Sequence, residues 1–314
     1  MRAGKMAAGL LLALVALVGV GVALSWAPDR PVETLTGRWA PPPSQFVSIE
    51  GMQMHLRDEG SRTDPQPIVL LHGTSASLHT WDGWTEALKS GRRVIRMDLP
   101  GFGLTGPMPD GNYRLSRYVE VVIALLDQLE VSQVVLAGNS FGGNLAWKIA
   151  VDHPHRVSKL VLVDAAGYPF DPQSMPIGFK IAQIPALRPL MQNTLPRSMI
   201  ESSVRNVYGD PSKVTQELID RYHDLTLRAG NRGALVERFR QSPSGEFTAQ
   251  ISQVRQPTLI LWGGQDRLIP PDNAAKFGRD IAGSRVVMFD ALGHVPHEED
   301  PAATVAAVQR FLQE

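Results

Sequence analysis

The residues best suited to chemistry lie in the pentapeptide Gly138–Gly142, which places Ser140 between two glycines. The apolar run Val134–Ala137 precedes the pentapeptide, and a helix-like pattern follows it. A G-x-S-x-G sequence between a strand and a helix holds its serine on a sharp turn, so the hydroxyl projects above the sheet. Ser140 is therefore a candidate nucleophile, provided that a base, an acid and an oxyanion site meet it.

Two later residues suit the roles of base and acid. His294 and Asp266 each follow an apolar run that predicts a strand. Because open α/β sheets bind ligands at the carboxyl ends of their strands, we expect both side chains to meet Ser140 there. His294 would deprotonate the serine, and Asp266 would hold the imidazole in the required tautomer. Asp164, which also follows a predicted strand, is the alternative acid.

These residues must be positioned by a sheet, and short apolar runs predict its strands at Ile68–Leu71, Arg93–Met97, Val134–Ala137, Lys159–Val163, Thr258–Leu261 and Arg285–Phe289. Stretches with helical patterns lie between them, at Trp81–Lys89, Ser116–Leu129, Phe141–Val151, Asp272–Ile281 and Pro301–Leu312. This alternation predicts a doubly wound, mostly parallel α/β sheet. An opening hairpin is predicted from Phe46–Ile49 and Met52–Leu56, which flank Gly51.

Breaks in the alternation predict the domain boundaries. The stretch 168–247 carries several prolines and helical patterns without a clear strand, so we predict that it forms a helical cap over the sheet. The core would then comprise residues 44–167 and 248–314. Residues 28–43 are rich in proline and are interpreted as a stiff linker.

Residues 1–27 are interpreted as a membrane anchor or a signal peptide. The run Met6–Trp26 holds no charge and is long enough to span a bilayer, whereas the apolar core of a signal peptide is usually shorter. Arg2 and Lys5 should keep the N-terminus in the cytoplasm. We expect a membrane-anchored protein whose catalytic domain lies outside the cytoplasm, in the periplasm or outside the cell. Secretion after signal cleavage is the alternative.

The amino-acid composition limits the partners and cofactors that are expected. Lysine plus arginine and aspartate plus glutamate each number 31, so the net charge is zero and a nucleic-acid partner is not expected. Cysteine is absent, which excludes disulfides and a thiol nucleophile. The sequence contains no H-E-x-x-H and no glycine motif of a dinucleotide site, so neither a metal nor a cofactor is expected. The oligomeric state is left open.

Taken in order, several segments of Ser44–Glu314 resemble the α/β-hydrolase superfamily: Leu71–Thr74, Asp98–Gly103, Gly138–Gly143, Gly263–Asp266 and Gly293–Pro296. The resemblance implies an α/β-hydrolase fold and a triad of Ser140, His294 and Asp266. It also implies an oxyanion hole made by the backbone N–H groups of Phe141 and Thr74, with Ser75 as a substitute for Thr74. Asp98 is interpreted as a structural turn residue, not a catalytic one.

The same resemblance suggests the substrate. The apolar residues of the predicted cap favour a small-molecule ester with an apolar acyl or alkyl group, cleaved through an acyl-enzyme. Serine at position 140 argues against haloalkane dehalogenases and epoxide hydrolases, which use aspartate there.

Asn139 keeps a second activity open, because Gly-Asn-Ser also resembles the meta-cleavage-product hydrolases, which cut carbon–carbon bonds. Such an enzyme would need a cation for the substrate carboxylate, and Arg188, Arg197 and Arg205 are candidates. Two further alternatives are a cofactor-free perhydrolase or haloperoxidase-like activity and a ligand-binding homologue without turnover.

Overall fold

The computed structural model describes residues 25–314 together with Leu12, Ala16 and residues 19–23; the side chains of Pro185 and of residues 188–190 are not described. The predicted anchor or signal segment, residues 1–27, therefore lies mostly outside the described residues. Within the described part, none of the helices combines the length and the apolar character needed to cross a bilayer.

The described residues form an eight-stranded sheet from β1 (Gln45–Ile49), β2 (Met52–Glu59), β3 (Ile68–Leu71), β4 (Val94–Met97), β5 (Val134–Asn139), β6 (Val157–Val163), β7 (Thr258–Gly263) and β8 (Arg285–Phe289). Their order is β1-β2-β4-β3-β5-β6-β7-β8. β2 pairs antiparallel with β1 and β4, and the remaining pairs are parallel. The predicted fold class is confirmed.

Alternation along the central strands divides the core into two layers. Ile68 and Leu70 of β3 belong to one apolar cluster, and Val69 and Leu71 belong to the other. Successive side chains of a strand point to opposite faces, so a strand covered by helices on both sides must be apolar throughout. This double burial explains the continuous apolar runs in the sequence.

The helices lie in the connections: α1 (Glu33–Trp39), α2 (Asp82–Leu88), α3 (Leu115–Gln128), α4 (Phe141–Asp152), α5 (Ile177–Ala182), α6 (Arg188–Asn193), α7 (Arg197–Val207), α8 (Gln216–Thr226), α9 (Asn231–Gln241), α10 (Asp272–Asp280), α11 (Pro296–Glu299) and α12 (Pro301–Gln313). Helices α5 to α9 lie between β6 and β7, the connection in which a cap is predicted. We keep the name cap for residues 168–247.

The prediction of a linker over 28–43 is wrong for its middle part, where α1 forms. Leu35 and Trp39 are buried and pack with Leu104 of the core and Leu225 of the cap. These two residues are four apart and therefore share one helix face. The prolines on either side hid this short apolar stripe, because proline disfavours a continuing helix.

The segment before α1 is fastened to the cap. The Ala27 N–H donates to the Asn193 carbonyl at 2.9 Å, and the Ala229 N–H donates to the Arg30 carbonyl at 2.9 Å. The Asp29 carboxylate accepts from the Arg232 guanidinium at 2.6 Å. Residues 27–30 thus lie against the insertion between β6 and β7.

Asp98, which follows β4, joins strand β2 to the segments that contain Leu78 and Leu104. Its carboxylate accepts from the His55 ring at 2.7 Å and from the N–H groups of Leu78 and Leu104 at 2.7 and 2.8 Å. Burial would raise the pKa of this carboxyl, but the nearby rings of His55, His79 and His72 together outweigh burial and hold the pKa well below its usual range. These contacts give Asp98 the structural role expected of it.

We expect Asp98→Asn to lower the free energy of unfolding by roughly 3–5 kcal/mol, because it breaks a buried charge-assisted contact. The loss should shrink as the pH falls below about 4, since a carboxyl with a lowered folded-state pKa contributes fully only above its unfolded-state pKa and loses this contribution towards its folded-state pKa. Urea unfolding at pH 7 and at lower pH measures both effects.

Asp110→Asn is the matched control, because Asp110 forms an exposed pair with Arg117 and should contribute less than about 1 kcal/mol. Equal losses of unfolding free energy in the two variants would contradict the structural role of Asp98.

Candidate active site

Ser140 occupies a strained turn between β5 and α4. Its backbone has φ +54° and ψ −116°, a conformation that non-glycine residues rarely adopt. The Ser140 N–H donates to the Val163 carbonyl, and its own carbonyl accepts from the N–H groups of Asn144 and Ala166, each at 3.0 Å. Neighbouring backbone therefore holds the turn from both sides.

Two glycines make the turn possible because backbone passes where their side chains would be. A Cβ on Gly138 would lie 2.1 Å from the Gly142 carbonyl oxygen. A Cβ on Gly142 would lie 2.2 Å from the Leu71 carbonyl oxygen. Only glycine fits at either position, so the start of α4 can pack directly against the end of β3.

His294 and Asp266 are in contact, as a base and its orienting acid would be. The His294 Nδ1 lies 2.7 Å from Asp266 Oδ2. The other oxygen of Asp266 accepts from the N–H groups of Leu268 and Ile269 at 2.8 and 2.9 Å. With its proton on Nδ1, the imidazole keeps Nε2 as the acceptor that a general base needs.

Asn139 links the turn to the histidine loop. Its buried side-chain amide donates to the His294 carbonyl at 3.0 Å and to the Val163 carbonyl at 3.1 Å. In the part of the chain that the structure describes, no hydrogen bond joins the Ser140 hydroxyl to the imidazole. Such contacts commonly tighten only when substrate binds. The amide contacts give Asn139 a positioning role for the two loops.

The loop after β3 runs beside Ser140. A Cβ on Gly73 would lie 3.1 Å from Ser140 Cβ, and Thr74 and Phe141 line one cavity together with Ser140. Phe141 begins α4, so its N–H has no acceptor within the helix. The Thr74 N–H donates no hydrogen bond among the described residues. Ser75 does not line this cavity, which favours Thr74 as the proposed second oxyanion donor.

Asp164, the alternative acid, lies beside Asp266 rather than against the imidazole. One oxygen accepts from the Gly263 N–H at 2.9 Å, and the other is buried without a hydrogen-bond partner among the described residues. Burial and then the charge of Asp266 raise the pKa of Asp164 well above its usual range. The histidine contact belongs to Asp266.

Asp164, Asp266 and His294 also have the residue types of a metal site, with one ligand atom of each within 4.8 Å of the others. His294 Nδ1 and Asp266 Oδ2, however, are engaged with each other at 2.7 Å. Burial and the charge of Asp266 also disfavour the deprotonated form of Asp164, which is the form that metals bind. The donor set fits a catalytic triad better than a metal, and absence of a metal stays a prediction.

Two cavities meet at Thr74 and Phe179. The first, of about 120 Å³, is bounded by Ser140 and Phe141 and by cap residues that include Phe170. The second, of about 140 Å³, has apolar walls formed largely by the cap, among them Ile181, Met191, Met199, Ile200, Val204 and Leu235. A nucleophile site and an apolar chamber thus lie side by side.

Of the cations proposed from the sequence for a substrate carboxylate, Arg197 and Arg205 do not line either cavity. Arg197 pairs with Asp220 at 2.7 Å and Arg205 pairs with Glu201 at 3.0 Å, both on the surface. The side chain of Arg188 lies outside the described residues. Arg238, which the sequence interpretation missed, lines the cavity of Ser140. The sequence feature that could have identified Arg238 is its spacing of four and three residues from Ala234 and Leu235. Residues with this spacing share one helix face, and all three are buried on α9.

The comparisons with known proteins agree with this fold and with this arrangement of Ser140, His294 and Asp266. The model of the family described as alpha/beta hydrolase fold matches residues 66–301, and the chain belongs to that family. A 2-hydroxy-6-oxo-2,4-heptadienoate hydrolase of Pseudomonas putida is 31% identical over 85% of this chain and 95% of its own length.

Two solved structures are similar at 25% identity and a TM-score of 0.73. One is a meta-cleavage product hydrolase from Pseudomonas fluorescens, matched over 86% of this chain and 97% of its own. The other is a bacterial membrane phospholipase A, matched over 100% of this chain and 98% of its own. The chain is a hydrolase of the α/β fold.

We expect Ser140→Ala and His294→Ala each to reduce kcat by at least about 10³-fold, because nucleophile and base act as a unit. The double variant should lose little more than either single one. Steady-state kinetics on any turned-over ester measure this, with His223→Ala, a histidine outside both cavities, as the control. Near-normal turnover by either single variant would exclude the proposed roles.

Asp266→Asn should be severely impaired, whereas Asp164→Asn should be mild, because asparagine resembles a protonated carboxyl. Because the pKa of Asp164 is raised in the folded state, this residue increasingly lowers the stability of the wild type as the pH rises above its unfolded-state pKa of about 3.9. Asp164→Asn should remove this dependence, and urea unfolding at pH 5 and 7 tests it. The reverse order of kinetic effects would assign the acid to Asp164.

Proposed function

We propose that this protein is a serine hydrolase that cleaves carboxylic esters with an apolar acyl or alkyl group through an acyl-enzyme. One observation carries the proposal. Ser140 shares its cavity with Thr74 and Phe141 and adjoins an apolar chamber, while His294 is bonded to Asp266. Nucleophile, proposed oxyanion donors and a space for an apolar chain therefore lie together.

The proposed reaction follows from these contacts. His294 Nε2 takes the proton of Ser140, and the serine oxygen attacks the ester carbonyl. The N–H groups of Thr74 and Phe141 hold the tetrahedral oxyanion, at the positive end of α4. The protonated imidazole, stabilised by Asp266, returns the proton to the leaving alcohol. Water, activated by the same imidazole, then hydrolyses the acyl-enzyme and frees Ser140.

The N-terminus supports a location at a membrane, outside the cytoplasm, with secretion as the alternative. The uncharged run Met6–Trp26 carries the proposed anchor, and the membrane phospholipase A is matched over the whole chain. Residues 25–30 are bound to the cap, and Trp26, Ile177 and Ile184 are exposed. We propose that this part of the cap faces the lipid surface and that the substrate is a lipid ester.

A second candidate is carbon–carbon bond hydrolysis, which the names of the curated relatives favour. The 2-hydroxy-6-oxo-2,4-heptadienoate hydrolase is matched over nearly its full length. Arg197 and Arg205 are paired on the surface, so the cation that this activity needs would be Arg238, which lines the cavity of Ser140. Asn139, whose neighbourhood suggested this activity, is occupied by backbone contacts.

We expect the full-length protein to hydrolyse p-nitrophenyl esters with kcat/KM rising about fourfold per methylene, because burying a methylene contributes about 0.8 kcal/mol. The rise should stop when the chamber is full. Ile200→Phe narrows the chamber and should shorten the preferred chain, whereas Ile184→Phe, at an exposed cap position, should not. Turnover of a dienoate without any ester hydrolysis would contradict the proposal and support the second candidate.

A further inference from the structure

Arg238 is a buried cation beside the proposed nucleophile. It lies on α9, is 7% exposed, and lines the cavity that also contains Ser140. Its guanidinium carbon lies 4.6 Å from the centre of the Phe141 ring and 4.5 Å from that of Phe239. The charge therefore lies next to the residue whose N–H is the proposed oxyanion donor.

Arg238 differs from the other buried arginines of the described chain in having no carboxylate partner. The other four each have one within 4.0 Å, in the pairs Arg57–Asp82, Arg93–Asp58, Arg96–Glu59 and Arg232–Asp29. Arg238 forms no ion pair among the described residues, and its Nε is buried without a hydrogen-bond partner. A buried charge is costly unless it is paired, and the described residues supply no carboxylate to pair with Arg238.

The charge persists at neutral pH. Burial lowers the pKa of Arg238 to about 10, with the Tyr118 hydroxyl acting in the opposite direction. The two aromatic rings offset only part of the desolvation, since a cation–π contact contributes about 0.5–2 kcal/mol.

The walls of the cavity suit an anion. Arg238 is its charged residue, and the other polar walls include Gln183, Ser242 and Ser244. No aspartate or glutamate lines it among the described residues. A guanidinium is a strong partner for carboxylate and phosphate oxygens, which it can bind in bidentate fashion.

We propose that Arg238 binds an anionic group of the substrate, a phosphate or a carboxylate, while the apolar chain of the same substrate fills the neighbouring chamber. Thr74 and Phe179 lie in both walls, so a scissile carbonyl at Thr74 stands between the two subsites. The inference rests on the proposed ester hydrolase activity and narrows its substrates to anionic, amphiphilic esters. A glycerophospholipid supplies the phosphate, and an ester of a dicarboxylic acid supplies the carboxylate.

Binding without turnover tests the site. We expect full-length Ser140→Ala to bind octyl phosphate or nonanoate about 10- to 100-fold more tightly than octanol in calorimetry, because a hydrogen bond to a charged group is lost with the neutral ligand. Adding Arg238→Met should abolish the preference, because methionine retains an apolar stem without the charge. Arg238→Lys should retain part of it. Arg240→Met, on the exposed side of the same helix, is the matched control and should leave it unchanged.

The two anions distinguish the sources: preference for octyl phosphate supports a phospholipid-like substrate, and preference for nonanoate supports a dicarboxylic ester. Equal binding of all three ligands, or an unchanged preference in a folded Arg238→Met protein, would overturn the inference.

If Arg238→Met does not fold, an inhibition assay with the wild type tests the inference instead. Octyl phosphate and nonanoate should inhibit neutral-ester hydrolysis by wild type more strongly than octanol, and equal inhibition would overturn it. Hydrolysis of neutral esters by the wild type tests the proposed function separately.

Discussion

The close approach of α4 to β3 is the constraint on which the candidate site depends. The Cβ positions of Gly138 and Gly142 would each lie little more than 2 Å from a carbonyl oxygen, so backbone occupies the space of two side chains. This packing holds Ser140 at φ +54°, a conformation that costs of the order of 1–3 kcal/mol and persists only when the surroundings enforce it. The same approach brings the start of α4 beside the loop after β3, where a Cβ on Gly73 would lie 3.1 Å from Ser140 Cβ.

The buried charged residues of the candidate site form two sets, the carboxyls of Asp164 and Asp266 and the guanidinium of Arg238. Asp266 is held by two N–H groups and the imidazole, whereas the pKa of Asp164 is raised by burial and by the charge of Asp266. The two neighbouring carboxyls thus differ in their contacts, because both oxygens of Asp266 are hydrogen-bonded whereas one oxygen of Asp164 has no partner among the described residues. Arg238, which lines the cavity of Ser140, is a buried charge whose Nε has no hydrogen-bond partner among the described residues. The cavity is therefore suited to a substrate with negative charge in addition to an apolar chain.

The sequence predicted the sheet and the positions of the candidate residues well, because both follow from strands buried on two faces. Ser140, Asp266 and His294 each follow a strand, and parallel strands bring their carboxyl ends to one edge. Helix α1 was missed because its apolar stripe comprises only Leu35 and Trp39 between prolines. Arg238 was missed because the sequence does not show that this arginine is buried beside Ser140. Nor does it show that Arg238 has no carboxylate partner among the described residues. The choice between Asp164 and Asp266 likewise required the distance to the imidazole.

The central claim is that Ser140 forms a covalent acyl-enzyme, and intact-mass and peptide mass spectrometry test it most directly. The full-length protein is mixed with p-nitrophenyl octanoate, quenched in acid within the first turnovers and digested. We predict that the peptide containing Ser140 gains the mass of one octanoyl group, and that Ser140→Ala shows no such gain. Turnover of the ester with an adduct on another residue, or an equal adduct in Ser140→Ala, would contradict the account.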